Sequence, residues 1–169
     1  ATSVATEDQA RELGIPVEEF DSLERLDIAI DGADQIAPDR WLVKGGGGAL
    51  TREKIVADLA ERFVCIADES KLVDVLGRYP LPVEVITMAL PQVARRFKAL
   101  GGTATVRAGV VTDNGHPLLD VRGLVISDPV AMEAEINQWP GVVTVGIFGR
   151  HRASACLLGT AAGVRTLVF

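Results

Sequence analysis

Four consecutive glycines, Gly45 to Gly48, follow Lys44 and lead into a helix-forming stretch. Ordering such a run is entropically costly, so a folded chain keeps it where the backbone must turn sharply or approach something closely. The flanking residues restrict the choice further. Leu26-Asp27-Ile28-Ala29-Ile30 reads as a buried strand that stops abruptly at Asp31-Gly32-Ala33-Asp34. The stretch from about Leu50 to Arg62 reads as a helix started by Thr51 or a neighbour. Phe63 to Ala67 reads as the next buried strand, ended by Asp68. Strand, glycine loop, helix, strand is the order of an α/β domain with parallel strands.

Upstream, Thr6-Glu7-Asp8-Gln9 fits a capping box, with Gly14 and Pro16 as the helix stop. Ser70 to Val73 fits a short helical turn. From about Gly77 the texture changes. Leu81 to Ile86 reads as a strand and Pro91 to Leu100 as a helix. Short strands follow at 103–107, 110–112 and 118–121, the last two joined by the hairpin signal Asn114-Gly115. Asp128-Pro129 opens a helix to about Gln138, and Val142 to Phe148 reads as a strand. This β-α-β-β-α-β order is ferredoxin-like. Ala155 to Leu158 and Val164 to Phe169 read as closing strands. The expected architecture is α/β: a Rossmann-like parallel-sheet domain, residues 1–76 plus 149–169, with a smaller ferredoxin-like α+β domain, residues 77–148, inserted in it.

Composition excludes several classes. Apolar runs of about five to seven residues fall far short of the roughly 20 of a membrane helix, and the first residues lack the marks of a signal peptide. A net charge of −6 and only two short basic runs, Arg95-Arg96 and Arg150-His151-Arg152, argue against nucleic acid as a partner. Cys65 and Cys156 lie in apolar runs and read as buried, reduced thiols of a cytosolic protein. His116 and His151 stand apart, so no metal site is expected.

Three features point to chemistry. Asp31 and Asp34 sit just past a strand's carboxyl end, where open α/β sheets bind ligands, although turn or cap aspartates look the same in sequence. Lys44 and its glycines suit an anion-binding nest at a helix N-terminus. The alternative is a flexible loop, and the spacing fits neither a Walker A loop nor a dinucleotide fingerprint. Glu53 falls in the first helical turn and shares a face with Val56, Ala57 and Ala60. Burial would raise its pKa, whereas the helix N-terminus and Lys44 would lower it. The sequence leaves that balance open, and Glu53 is a candidate general base or simply a dipole-complementing glutamate.

Together these strings resemble the type A ribose-5-phosphate isomerase family. The match runs from Asp31-Gly32-Ala33-Asp34 through Lys44-Gly45-Gly46-Gly47 and Ala49-Leu50-Thr51-Arg52-Glu53-Lys54 to Ala67-Asp68 and Ser70-Lys71. It continues through Pro80 to Val85, Gly109 to Gly115, Asp128-Pro129, Pro140 to Val143 and Gly163-Val164. The resemblance implies cofactor-free interconversion of ribose 5-phosphate and ribulose 5-phosphate in the non-oxidative pentose phosphate pathway. It implies a cytoplasmic homo-oligomer, dimer or tetramer. By the same resemblance Glu53 is the general base and Asp31 the acid acting on hydroxyl and ring oxygens. Asp34, with Gly32 and Ala33, belongs to the substrate loop. Lys44 is the cation near the enediolate oxygen, Gly45, Gly46 and Gly47 line the substrate, and Lys71 is a phosphate-side lysine.

Two departures carry expectations. The family's phosphate-holding Gly-Thr-Gly-Ser-Thr-like loop has no counterpart here, so a longer protein is expected. The chain alone should then expose part of its sheet and turn over poorly or fold poorly. Gln35 stands where the family commonly has an acid and is expected to be a minor surface variation. Two other functions compete: a non-catalytic sugar-phosphate sensor, and an acyl-CoA-transferase-like enzyme with a nucleophilic glutamate. Retention of Asp31, Lys44 and Glu53 together favours the isomerase.

Overall fold

The computed structural model describes residues 1–168. Along the chain run α1 (Val4–Glu12), β1 (Ala29–Asp31), β2 (Gln35–Ile36), β3 (Leu42–Val43), α2 (Leu50–Leu59), β4 (Phe63–Asp68) and β5 (Leu81–Val85). There follow α3 (Leu90–Ala99), β6 (Thr103–Val111), β7 (Pro117–Arg122), α4 (Pro129–Ile136), β8 (Val142–Val145), β9 (Ile147–Phe148), β10 (Ala155–Thr160) and β11 (Gly163–Val168). Phe169, the last residue of the expected closing strand, lies outside the described residues.

The first sheet has the order β1-β4-β10-β11, with β1, β4 and β10 parallel and β11 antiparallel at the edge. Alternation along these strands sends Ala29, Phe63, Cys65, Cys156 and Leu158 into one core with Ala57 of α2 and Phe148. Much of the opposite face is exposed. Ile30 lies beside Val64, and Ile66 beside Leu157; Ile28, Ile30, Ile66, Leu157 and Val168 are exposed. Cys65 and Cys156 are register partners, buried and free. Burial, then the neighbouring Cys156, pushes the Cys65 thiol up to about 12.

The second large sheet, β6-β7-β5-β8, is antiparallel. With α3 and α4 it forms the ferredoxin-like unit. The core between them includes Val83, Val93, Phe97, Leu119 and Trp139; Phe97 and Trp139 pack edge to face at 4.9 Å. α3 contributes Val93 and Phe97, one helical turn apart, as its buried positions. The two strands expected at 103–107 and 110–112 form one strand, β6, whose pairing with β7 breaks register between Val106 and Val111. Gly109 takes a positive φ of 70° inside that break.

A small three-stranded sheet, β2-β3-β9, joins the two bodies. It arises because the single strand expected over 142–148 splits at Gly146. β8 pairs with β5, whereas β9 pairs with β3. A side chain on Gly146 would run into the carbonyls of Lys44 and Pro82, and Gly146 itself bonds to both sides. Its N–H donates to Pro82 O (2.7 Å), and its carbonyl accepts from Lys44 N (2.9 Å).

Two local expectations are corrected. α1 is capped by Ser3, whose Oγ accepts from Thr6 N, so Thr6 lies inside the helix instead of capping it. Gln35 is buried, 3% exposed, and its Oε1 accepts from Gly77 N at 3.0 Å. A neutral amide satisfies that backbone donor without the cost of burying a charge. Among the described residues no helix is long and apolar enough to cross a membrane.

Candidate active site

β1 and β4 are in register, Asp31 opposite Cys65, so the chain leaves β1 at the carboxyl edge of the parallel sheet. The turn that follows is tied down at once. Asp31 Oδ1 accepts from Gly32 N (2.7 Å), and Asp34 N donates to Val43 O (2.8 Å). β3 then delivers Lys44 from the sheet joining the two bodies, and that explains its burial: only 2% of the residue is exposed. An ammonium so enclosed needs partners. Nζ donates to Gly32 O (2.5 Å), lies 2.9 Å from Asp31 Oδ2 and 3.4 Å from Glu53 Oε2, and sits over the Phe148 ring.

The glycines play different parts. Gly45 and Gly48 adopt positive φ, 105° and 89°, and Gly48 N bonds back to Gly45 O (3.0 Å). Gly46 N donates to Asp34 Oδ2 (2.7 Å). A β-carbon on Gly46 would collide with the Asp34 carboxylate and the Tyr79 hydroxyl. Gly47 has open space around it, and its N–H has no acceptor among the described residues.

α2 begins immediately after the loop, with no side chain capping its N-terminus. Thr51, the expected starter, instead donates its hydroxyl to the buried Glu84 of β5. Lys54 reaches the other way, to Glu133 Oε1 of α4 (2.5 Å) and to the carbonyls of Val145 and Ile147. Between these two anchors Glu53 turns into the pocket, its side chain 12% exposed. Burial raises its carboxyl above the usual carboxylate range. Lys44 opposes that rise, and Asp31 and Asp34 add to it. The balance left open by sequence falls on the side of a base that holds its proton more tightly. Oε2 is enclosed, and its contact with Lys44 lacks hydrogen-bond geometry.

The result is a pocket of about 250 Å³ lined by residues 31–34, 44–47 and 53. Sequence reasoning named every one of these. Lys71 is placed elsewhere: it ends the 3-10 turn Glu69–Lys71 after β4, half-buried, outside the pocket wall. A larger depression of about 550 Å³, bordered by Ile36, Leu72 and Arg78, has no comparable convergence of polar groups.

The supporting residues Glu84, Glu133, Arg107 and Asp120 were missed. Glu84 was the most legible: a lone acid in the apolar run Leu81 to Val85 is either exposed or specifically bonded. It accepts from the hydroxyls of Thr51 and Thr112 and from Asn114 Nδ2.

A carboxylate of raised pKa, a fixed cation and an open backbone donor around a small cavity can move a proton beside a carbonyl and stabilise the oxyanion that results. The family model for ribose 5-phosphate isomerase A (phosphoriboisomerase A) matches residues 1–163. The chain belongs to the ribose 5-phosphate isomerase A family. It is 66% identical to a ribose-5-phosphate isomerase A of Methylibium petroleiphilum across its full 169 residues, which span 77% of that protein. The crystal structure of ribose 5-phosphate isomerase A from Neisseria gonorrhoeae superposes with a TM-score of 0.96 at 43% identity. That match covers 99% of this chain and 75% of the other. A D-ribose-5-phosphate isomerase solved in complex with phospho-erythronic acid is 38% identical with a TM-score of 0.96, covering 99% of this chain and 76% of that one.

Proposed function

We propose that this pocket interconverts ribose 5-phosphate and ribulose 5-phosphate through an enediolate, with Glu53 as the single general base. The observation that carries this reading is the position of Glu53 Oε2, enclosed, without a hydrogen-bond donor, and 3.4 Å from the Lys44 ammonium. In the forward direction Asp31 assists ring opening by handling the hydroxyl and ring-oxygen protons. Glu53 lifts the C2 proton of the open aldose. The electron pair left at C2 forms the C1–C2 double bond, and the carbonyl electrons move to O1 as negative charge. Lys44 and the open loop N–H would stabilise that charge more than the neutral carbonyl. Glu53 returns its proton to C1, the O2 proton passes to O1, and C2 becomes the carbonyl. One carboxylate thus serves both carbons, which suits a buried base shielded from exchange with water.

Asp34 is assigned to the substrate loop through its bond to Gly46, and Lys71 to the phosphate end of the substrate beyond β4. The relative that carries phospho-erythronic acid supports a phosphorylated, hydroxylated chain as ligand. The reading assigns catalysis to residues 1–76 with 149–169, and the supporting role to residues 77–148. It extends to a cytoplasmic homo-oligomer of the non-oxidative pentose phosphate pathway, as the family resemblance implies.

The test is direct. Ribose 5-phosphate mixed with the protein should yield the ketose. Glu53→Gln should lower kcat by about 10²- to 10⁴-fold, the usual worth of a general base, with KM nearly unchanged. Ketose formation by Glu53→Gln near the wild-type rate would place the base elsewhere, and binding without conversion by the wild type would favour a sensor.

A further inference from the structure

Arg107 lies on β6 of the ferredoxin-like body, yet its guanidinium reaches the glycine loop. Nη1 donates to Gly45 O (3.1 Å) and to Gly46 O (3.0 Å). The rest of the fork is taken by Asp120 of β7: Nε donates to Oδ2 (2.9 Å) and Nη2 to Oδ1 (2.6 Å). Arg107 is thus held in a bidentate pair and holds two successive peptide carbonyls. Asp120, with Asp34 and Tyr79 nearby, raises the guanidinium further above its already high range, the Asp120 hydrogen bond foremost.

We propose that Arg107, oriented by Asp120, is a positioning residue for the isomerisation: it fixes the Gly45 and Gly46 peptides so that the loop N–H groups and Asp34 keep their aim into the pocket. This rests on the reaction proposed above. A peptide plane has one rotational setting for its two ends, so holding the Gly45 and Gly46 carbonyls on the side of β6 turns the N–H groups of Gly46 and Gly47 the opposite way. Gly46 N–H then meets Asp34, and Gly47, in the cavity wall, keeps its N–H without an acceptor among the described residues. Glycine supplies no torsional preference of its own, so an external clamp is needed where a run of four would otherwise sample many settings. Only a planar fork serves both duties at once. A lysine reaching the same place has neither the second arm for Asp120 nor the fixed angle between donors. The clamp belongs to the other body of the fold, so the ferredoxin-like unit has a task at the reaction centre without touching substrate.

The experiment compares wild type, Arg107→Ala, Arg107→Lys and Asp120→Asn in two measurements. In the first, isomerase kinetics are followed with and without added methylguanidinium. Misaiming groups by about 1 Å costs on the order of 100-fold, so kcat of Arg107→Ala should fall about 10- to 100-fold while KM changes less. Arg107→Lys should not restore the rate, Asp120→Asn should fall between, and methylguanidinium should recover part of the loss in Arg107→Ala alone. In the second, backbone amide exchange of the peptide covering residues 42–50 is measured by mass spectrometry, which needs no turnover. Exchange should accelerate there in Arg107→Ala with little change in β4 or β10. Unchanged exchange in that peptide overturns the proposal whatever the kinetics. Wild-type kcat in Arg107→Ala, in a protein that does isomerise, also overturns it. Failure of the wild type to convert ribose 5-phosphate strikes the functional reading instead, and the exchange measurement still decides the clamp.

Discussion

Replacing Lys44 with methionine removes one charge from a set of three and keeps much of the side chain's bulk. At an effective dielectric of about 20, an ion pair at the 3.4 Å between Lys44 and Glu53 is worth about 5 kcal/mol of attraction, and the 2.9 Å pair with Asp31 about 6 kcal/mol. Water entry and protonation of a carboxylate recover part of this. The expected net loss is the about 3–5 kcal/mol typical of breaking a buried pair from one side. The pH dependence has a definite sign. Burial already raises the Glu53 carboxyl, and Lys44 is the main group opposing that rise, so the variant raises it further. A carboxyl raised on folding gives its full contribution below its unfolded pKa, about 4.3, and loses it as pH climbs through the folded value. The stability deficit of Lys44→Met should therefore be smallest below about pH 4.3 and grow as pH rises above it through the folded carboxyl's titration. Denaturant melts across that range measure it. The double variant Lys44→Met/Glu53→Gln removes the orphaned charge and should be more stable than Lys44→Met at pH 8. In kinetics, kcat should drop about 10²- to 10³-fold, as for loss of an oxyanion partner, and the acid limb of kcat/KM should move to higher pH. A pH-independent deficit, with no gain in the double variant, would refute the electrostatic account of this site.

Gly46→Ala should abolish most turnover, because its β-carbon meets the Asp34 carboxylate and Tyr79 hydroxyl; Gly47→Ala, in open space, should cost far less, and equal rates for the two would show that space is not what Gly46 supplies. Glu133→Ala strands the Lys54 ammonium on two carbonyls and releases the N–H groups of Gly149 and Arg150, so it should cost about 3–5 kcal/mol in a urea melt. Burial lowers the Lys54 pKa, with Glu133 opposing. A depressed lysine gives its full contribution above its unfolded pKa, about 10.4, and loses it as pH falls through the folded value. The Glu133→Ala deficit should therefore shrink toward high pH, and a constant deficit would exclude an unpaired ammonium as the cause.

The pocket was legible because its parts are unusual locally. A strand ending on two aspartates, a lysine before four glycines and an acid in the following first turn are each visible without a fold, and α/β grammar sends all three to one sheet edge. The order of the ferredoxin-like unit was equally visible in its turn signals. What stayed hidden depends on contacts between distant residues. β2, β3 and β9 are two residues each, too short for any periodicity to register. Arg107 and Asp120 look like ordinary surface charges until β6 and β7 pair. Gln35 looked like a solvent-facing substitution because nothing in its neighbourhood announces that the Gly77 amide will arrive there. The extent of the exposed sheet face follows from which strands lie side by side, and the sequence could only suggest that some of it would be uncovered.

Splitting the 142–148 stretch at Gly146 leaves one residue bonded to both bodies, with the backbone of the key lysine fastened to it. Large hinge bending there would have to break the Lys44–Gly146 and Gly146–Pro82 bonds together. Such a molecule is built more like a welded bracket than a jaw: ligand traffic has to go through local rim movements while the lysine's mounting stays put.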